Sequence, residues 1–287
     1  MSLETARLDP QAVQEFRAEV IARKNLPTIP TVLARIIALT DAEGASGKEL
    51  VDVVEHDQAL TSKILRLANS AFFGQSRRVA TIPRAVVLLG FSTVRNLALS
   101  VKVWETLGNG VARAHIEELW GHAFATAVAT RVLTARLRAG DPDVAFTAGL
   151  LHDVGRLVIA LRFLEHYWRT VGGAGERGPV ETLESATFGV DHAEVGGWML
   201  EAWSLPPGIV EAVRLHHTGL GRPGVPGVLA AANRLIACTD LSTGVLDPEA
   251  TPLLETLAAR GITAELWAEV ASELRDGQAM ALAREDT

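Results

Sequence analysis

Apolar residues recur along most of this chain at intervals of three and four positions, a pattern typical of amphipathic helices. One example is the stripe formed by Leu60, Ile64, Leu67 and Ala71. Asp57 lies just before this stripe and is a suitable N-cap residue. Runs of alternating β-branched residues are nearly absent. The pattern therefore predicts an all-α fold with no sheet of consequence.

Polar and glycine residues predict where helices begin and end. Ser46 and Glu49 have the spacing of a capping box, as do Asp191 and Glu194, so His192 should be the first residue of a helix. Further helices are predicted over residues 111–137 and 144–151 and from Pro207 to His217, with a loop at 221–227. The strongest interior break in the first half is 108–110. The sequence thus divides into a helical N-terminal part (1–108), a helical bundle (111–245) and a C-terminal helical extension (246–287).

Composition narrows the class of protein. The chain has 287 residues, of which 48% are hydrophobic and 21% charged, as in a globular protein with a substantial core. No apolar run reaches the roughly 18 residues of a membrane span, because His152, Asp153 and Arg156 interrupt residues 144–161. The N-terminus lacks the features of a signal peptide, and the single cysteine excludes an internal disulfide. We expect a cytoplasmic protein with no membrane partner.

The net charge is −7, but the charged residues are distributed unevenly along the chain. Residues 58–104 contain seven basic side chains and no acidic one, whereas residues 246–287 contain nine acids and three arginines. A basic segment in an acidic protein favours a surface for an anionic partner. The alternatives are a solvated face and pairing with the acidic C-terminal extension. The residues predicted to form this surface are Lys63, Arg66, Arg77, Arg78 and Arg84.

Five of the eight histidines lie in apolar, helical contexts. They are His122, His152, His192, His216 and His217, and Asp153 directly follows His152. A single such histidine is more often a hydrogen-bonded core residue than a ligand. Imidazole and carboxylate are nevertheless good ligands for transition metals, and buried polar groups need partners. The whole set therefore predicts a common site for a divalent transition metal, with iron, manganese and zinc as candidates.

Two further features support convergence of these side chains. His216 and His217 continue the inward stripe of Ile209, Val210 and Val213 at helical spacing. Gly149 lies in the middle of a predicted helix, where it costs about 1 kcal/mol relative to alanine. Its presence is explained if another backbone comes close to that turn.

Short motifs extend across most of the chain in a consistent order. In the first half they are residues 26–30, 57–61, 67–74 and 88–90. In the second half they are 120–122, 149–156, 190–196, 203–206 and 216–217. Together these motifs resemble the HD-related output domain (HDOD) family over residues 26–241.

The resemblance implies an all-helical bacterial module related to HD phosphohydrolases and HD-GYP cyclic-di-GMP phosphodiesterases, with an N-terminal helical part packed on an HD-type bundle. His122, His152 and Asp153 match the first metal-binding positions of catalytic HD enzymes. His192, His216 and His217 match the histidines of a second metal site in HD-GYP relatives. The resemblance therefore implies one or two ions.

This chain departs from the catalytic pattern at two points. Asn233 stands where the closing aspartate of the superfamily is expected, and an asparagine offers only a neutral carbonyl oxygen. The GYP signature after the double histidine is replaced by residues 217–221. Both departures weaken the case for hydrolysis, because such enzymes use metal ions held by carboxylates to activate water.

Two functions follow as alternatives. The first is a signalling or regulatory module with a metal pocket and little or no catalysis, which binds a regulatory protein in trans or a nucleotide-like anionic ligand. The second is a metal-dependent phosphohydrolase or phosphodiesterase acting on a nucleotide such as a cyclic dinucleotide. Net negative charge and the lack of a basic run interleaved with aromatics argue against nucleic-acid binding.

Overall fold

The computed structural model describes residues 8–22, 30–41, 46–69, 73, 78–172, 174, 177–240, 245–247 and 250–281. Within these ranges the fold is all-α, as the apolar periodicity predicts. The exception is a two-residue antiparallel pairing of β1 (Thr239–Asp240) with β2 (Val245–Leu246). Ala71 and Arg77 lie outside the described residues.

Among the described residues, six helices lie in the N-terminal part. They are α1 (Pro10–Ile21), α2 (Thr31–Asp41), α3 (Gly47–Glu55), α4 (Gln58–Ala68), α5 (Ile82–Leu89) and α6 (Phe91–Gly108). The predicted caps are confirmed: Ser46 and Glu49 form a capping box at the start of α3, and Asp57 accepts a hydrogen bond from the backbone of Leu60. The predicted break at 108–110 coincides with the end of α6.

The remaining helices form the bundle and the C-terminal extension. They are α7 (Arg113–Leu137), α8 (Pro142–Leu151), α9 (Val154–Phe163), α10 (Glu165–Val171), α11 (Val180–Phe188), α12 (His192–Ala202), α13 (Pro207–Leu215), α14 (Gly224–Ala237), α15 (Thr251–Ala258) and α16 (Ala264–Ala281). Within the described residues the acidic C-terminal segment is helical over 251–258 and 264–281, as predicted. Helix α16 packs on α7 through Trp267, Val270 and Leu274, which are buried.

The predicted loop at residues 221–227 is wrong, because α14 already begins at Gly224. Pro226 suggests a loop in the sequence, yet it lies in the first turn of the helix. The backbone N–H groups of a first turn have no intrahelical acceptor, so a proline there removes no hydrogen bond.

Helix α6 connects the N-terminal helices to the bundle. It packs against α2 and α4 on one side and against α8 and α9 on the other, and its apolar residues belong to one continuous core. The indole N–H of Trp104 donates to the carbonyl of Leu150, with a distance of 2.7 Å. This bond anchors the end of α8 directly before the His152–Asp153 pair.

Helices α7 and α8 approach each other closely where small residues meet. A Cβ atom added to Gly149 would lie 2.4 Å from the Cα atom of Ala127. This contact explains the mid-helix glycine and confirms that another backbone lies against that turn. The close approach brings His122 of α7 next to His152, with ring centroids 5.2 Å apart.

Helices α9 and α12 cross in the same way at Gly155 and Gly196. A Cβ atom on Gly155 would lie 2.0 Å from the carbonyl oxygen of His192. Glycine at this position therefore allows the start of α12 to reach the start of α9. As a result, His192 lies beside Asp153.

The stretch Pro142–Phe163 is long and apolar enough to pass a length-and-composition test for a membrane span. It comprises α8, the His152–Asp153 turn and α9, and 83% of its most apolar window is buried inside the protein. Core helices of folded proteins pass the same test, so the finding is weak evidence for a span.

The glycine at the α7–α8 crossing can be tested by substitution. We expect Gly149→Ala to lower the free energy of unfolding by about 1–3 kcal/mol, because the added methyl group forces two packed backbones apart. Gly208→Ala is the matched control, since a Cβ atom there has no neighbour within 4 Å. It should be neutral or stabilising by up to about 1 kcal/mol. Urea denaturation measures the free energy of unfolding of both variants. Equal changes in Gly149→Ala and Gly208→Ala would contradict the close crossing of α7 and α8.

Candidate metal centre

The six predicted ligands and Asn233 converge at a junction of six helices. His122 lies on α7, His152 and Asp153 form the turn between α8 and α9, and His192 opens α12. His216 and His217 directly follow α13, and Asn233 lies on α14. The ligand atoms fall into two groups, each within 4.8 Å: His122 with His152 and Asp153, and His192 with His216 and His217.

The carboxylate of Asp153 lies between these groups. Its Oδ1 atom is 3.3 Å from Nε2 of His152, 3.1 Å from Nε2 of His192 and 3.7 Å from Nε2 of His216. The Asp153 side chain is only 6% exposed. One oxygen of a buried carboxylate thus lies within 3.7 Å of three imidazole nitrogens.

Backbone and carboxylate acceptors fix the orientation of three of the rings. The Nδ1 atom of His152 lies 2.7 Å from the carbonyl of Gly149, and Nδ1 of His216 lies 2.6 Å from the carbonyl of Val213. Nδ1 of His192 lies 2.6 Å from Oε2 of Glu184. Each acceptor requires a proton on Nδ1, so in the neutral form of each ring the lone pair is on Nε2, which faces the site.

The Nε2 atoms consequently face one another. Nε2 of His192 is 3.2 Å from Nε2 of His216 and 2.9 Å from Nε2 of His217. Among the described residues, none hydrogen-bonds to Nε2 of His152, although that atom is buried. The lone pairs of neutral rings that converge in this way repel unless a positive charge lies between them, which a metal cation or a proton on Nε2 of His192 supplies. The donor set therefore fits a transition-metal cation.

The pKa values follow from burial and from this arrangement. Burial lowers the pKa of His152 to about 4. Burial and the neighbouring His192 lower the pKa of His217 to about 3, and burial also lowers the pKa of His216 well below its usual range. These three imidazoles are neutral at pH 7, which is the form that binds metals.

His192 and Asp153 titrate in the opposite sense. Burial by itself would lower the pKa of His192, but Glu184 and Asp153 raise it to about 10. Burial likewise opposes ionisation of Asp153, but His152, His192 and Arg156 hold its pKa well below the usual range. The His192 ring is therefore protonated at pH 7, and a metal cation bound to its Nε2 atom would replace that proton.

His122 and Asn233 form a separate contact at the edge of the cluster. Nε2 of His122 lies 2.9 Å from Oδ1 of Asn233, and His122 is only partly buried. A neutral amide oxygen therefore lies beside one ring nitrogen of His122, where the superfamily pattern leads one to expect a carboxylate. An aspartate at this position would add a second carboxylate to the site.

Sequence reasoning missed three residues that support the cluster. Glu184 is fully buried and bonds to His192, Tyr167 bonds to Glu184, and Arg156 bonds to both Tyr167 and Asp153. Arg156 stands three residues after Asp153, and Tyr167 is the single tyrosine of the chain. Glu184 precedes His192 by eight residues across a helix end, and no periodicity connects the two.

The predicted basic surface divides into paired and exposed side chains. Lys63 forms an ion pair with Glu105 at 3.0 Å, and Lys102 pairs with both Asp57 and Glu105. Arg66, Arg78 and Arg84 are exposed.

Loop geometry brings two of these arginines to one end of α4. The Asn69 side chain bonds to the backbone N–H and carbonyl of Val79, at 2.7 and 2.8 Å. These bonds hold Arg78 near the last turn of α4, which carries Arg66. The acidic C-terminal extension lies against α7 instead, where Glu269 pairs with Arg136 at 2.9 Å.

Comparison with known proteins identifies the family to which this chain is similar. A model of the HDOD domain matches residues 26–219. An uncharacterized protein of Treponema pallidum (strain Nichols) is 26% identical over 229 residues, which are 78% of this chain and 43% of that protein. This chain therefore spans less than half the length of that relative.

Two solved structures are similar in fold. A candidate phosphohydrolase of Shewanella amazonensis SB2B has a TM-score of 0.74 and 24% identity, over 94% of this chain and 98% of its own. A candidate signal transduction protein of Marinobacter aquaeolei VT8 has a TM-score of 0.69 and 25% identity, over 96% of this chain and 67% of its own. Because the family match covers well over half of the residues, the chain belongs to the HDOD domain family.

Proposed function

We propose that this protein is a cytoplasmic regulatory module that binds a divalent transition metal in the histidine cluster and has little or no hydrolytic activity. The observation that carries the proposal is the contact of Asn233 with His122 beside an otherwise complete set of inward-facing imidazoles. The metal would be held by His152, Asp153, His192, His216 and His217. Iron, manganese and zinc all accept imidazole ligands.

Two physical arguments favour regulation over hydrolysis. A bound metal supplies Lewis acidity and an activated water molecule, but here Asp153 is the one carboxylate in the predicted ligand set. Asp153 and His192 are also nearly inaccessible, with 4% and 2% exposure. A nucleotide would have to displace protein atoms to reach them.

The alternative is a metal-dependent phosphohydrolase or phosphodiesterase acting on a nucleotide such as a cyclic dinucleotide. It is favoured by the fixed ring orientations of His152, His192 and His216, which resemble those of functional metal ligands. His122 and His217 are the less buried members of the cluster. They mark the side from which an ion or a substrate would enter.

Metal binding should be detectable in the metal content of the purified protein and in its free energy of unfolding. We expect the purified protein to contain iron, manganese or zinc, and His216→Ala to lose most of it. Metal at 100 times its Kd should raise the free energy of unfolding by about 2.7 kcal/mol, because it binds the folded state. Elemental analysis and thermal unfolding are the measurements. His56→Gln, outside the cluster, is the control and should keep its metal. If the wild-type protein contains no metal and added metal leaves its melting temperature unchanged, the cluster is a hydrogen-bonded core instead.

Hydrolysis should be absent or very weak in wild type. We expect no measurable turnover of cyclic dinucleotides or simple phosphodiesters with added manganese or iron. Asn233→Asp should raise turnover tenfold or more, equivalent to about 1.4 kcal/mol in the activation barrier, if the missing carboxylate is the cause. Robust wild-type turnover that disappears in His152→Ala would instead establish the enzyme.

We also propose that the exposed arginines at the α4–α5 junction dock an acidic protein partner. Arg66, Arg78 and Arg84 support this surface, with Arg77 as an expected fourth member outside the described residues. Lys63, although part of the predicted surface, is partly neutralised by Glu105. Surface ion pairs are individually weak, so the summed field of the arginines would steer binding.

The surface can be tested against an equal change in net charge elsewhere. We expect Arg66, Arg78 and Arg84 changed together to glutamate to reduce retention on immobilised polyglutamate, and wild-type retention to fall with salt. The control changes Arg35, Arg169 and Arg222 to glutamate, which alters the net charge by the same amount. Equal retention of the two triple variants would mean that the arginines form only a solvated face.

A further inference from the structure

Five side chains form a closed ring of polar contacts that begins and ends at Asp153. In order they are Asp153, His192, Glu184, Tyr167 and Arg156. Nε2 of His192 lies 3.1 Å from Asp153, and Oε2 of Glu184 accepts from Nδ1 of His192 at 2.6 Å. The Tyr167 hydroxyl donates to Oε1 of Glu184 at 2.8 Å. Arg156 closes the ring, with Nε 3.0 Å from the Tyr167 hydroxyl and Nη1 3.4 Å from Asp153.

Glu184 and Tyr167 are the members of this ring that belong to neither the α9–α12 crossing nor the predicted ligand set, and Glu184 is the one that bonds to a predicted ligand. Its Oε2 atom accepts two bonds from His192, one from the ring and one from the backbone N–H at 2.8 Å. The carboxylate is completely buried. A buried charge without these partners would be strongly destabilising. The position of α11 is therefore tied to the position of the first residue of α12.

The hairpin of α10 and α11 has few other buried side chains. Helix α10 buries Tyr167 and Val171, and helix α11 buries Glu184 and Phe188. One of the two in each helix is thus a polar ring member. Phe188 stacks on Phe163 of α9, with centroids 4.9 Å apart, and anchors the end of α11 independently.

Helix α11 also reaches a second candidate ligand. Oε1 of Glu181 lies 3.8 Å from Nδ1 of His217. Two carboxylates one turn apart on α11 therefore face two imidazoles of the same metal group. The outer residues of the hairpin, including Glu165 and Arg169, are exposed.

We infer that Glu184 is a positioning residue that orients His192 toward the metal and couples metal binding to the order of the α10–α11 hairpin. This inference rests on the proposed metal binding and names its regulatory output. The geometry gives the coupling a direction. A cation held by His192 and Asp153 would restrain two ring members, and the remaining three would then hold both hairpin helices in one place. A partner protein would then bind the exposed face of the ordered hairpin when the metal is bound.

Hydrogen–deuterium exchange of the full chain, with and without zinc, tests the coupling. Zinc should slow exchange about tenfold or more in residues 165–171 and 180–186 and at the His192 amide, because local opening then requires loss of the metal contacts. Residues 142–157, which carry the His152–Asp153 turn, should also respond. They report metal binding itself.

Variants at Glu184 and Tyr167 separate positioning from simple packing. Glu184→Ala should lower zinc affinity about 10- to 100-fold, the usual effect of removing a group that orients a ligand. At saturating zinc the hairpin should remain unprotected. Glu184→Gln keeps the shape and one acceptor, so it should regain most of the affinity. Tyr167→Phe keeps the ring packing and removes the hydroxyl, so it should bind zinc within about tenfold of wild type yet show reduced hairpin protection.

Glu165→Gln is the matched control, because Glu165 is an exposed carboxylate on the same hairpin. It should behave as wild type in both measurements. Zinc protection of residues 142–157 without any change in the hairpin would overturn the coupling and leave the metal site standing. Unchanged exchange everywhere would overturn the metal site and the coupling with it. Wild-type affinity and protection in Glu184→Ala would likewise overturn the role of Glu184.

Discussion

The carboxylate of Asp153 is buried where six helices meet, and its negative charge has to be balanced there. His152, His192 and His216 surround one of its oxygens, and Arg156 approaches the other. Removing this charge from water is costly unless each partner is correctly placed. The tight glycine crossings, the ring orientations and the buried Glu184 all contribute to that placement. The packing of the bundle and the chemistry of the site therefore both depend on how the charge of this buried carboxylate is balanced.

Much of the fold follows from local rules that a sequence displays directly. The caps at Ser46, Asp57 and Asp191 are satisfied by neighbours three residues away, so their spacing alone locates the helix starts. The start of α14 was misplaced for an equally local reason. Pro226 disrupts a helix interior but not a first turn, and periodicity alone does not distinguish these positions.

The candidate site was predictable as a set of residues but not as a geometry. The inward-facing histidines and the glycine at 149 already indicated convergence. The contact of His122 with Asn233, the acceptors for each Nδ1 atom and the role of Glu184 depend on pairs distant in sequence. The basic segment shows the same limit. Lys63 and Lys102 look unpaired in the sequence, yet Asp57 and Glu105, just outside the acid-free segment, bond to them.

The contact between Gly149 and Ala127 has a further consequence for how such a site can diverge. The separation of the two backbones there is limited by atomic radii rather than by any polar bond. The same residue supplies the carbonyl that orients His152. A single methyl group at position 149 would thus alter both the spacing between His122 and His152 and the direction of one imidazole. Changes at two small residues that would not themselves bind the proposed metal would then alter the ionic radius that the site prefers, with every histidine unchanged.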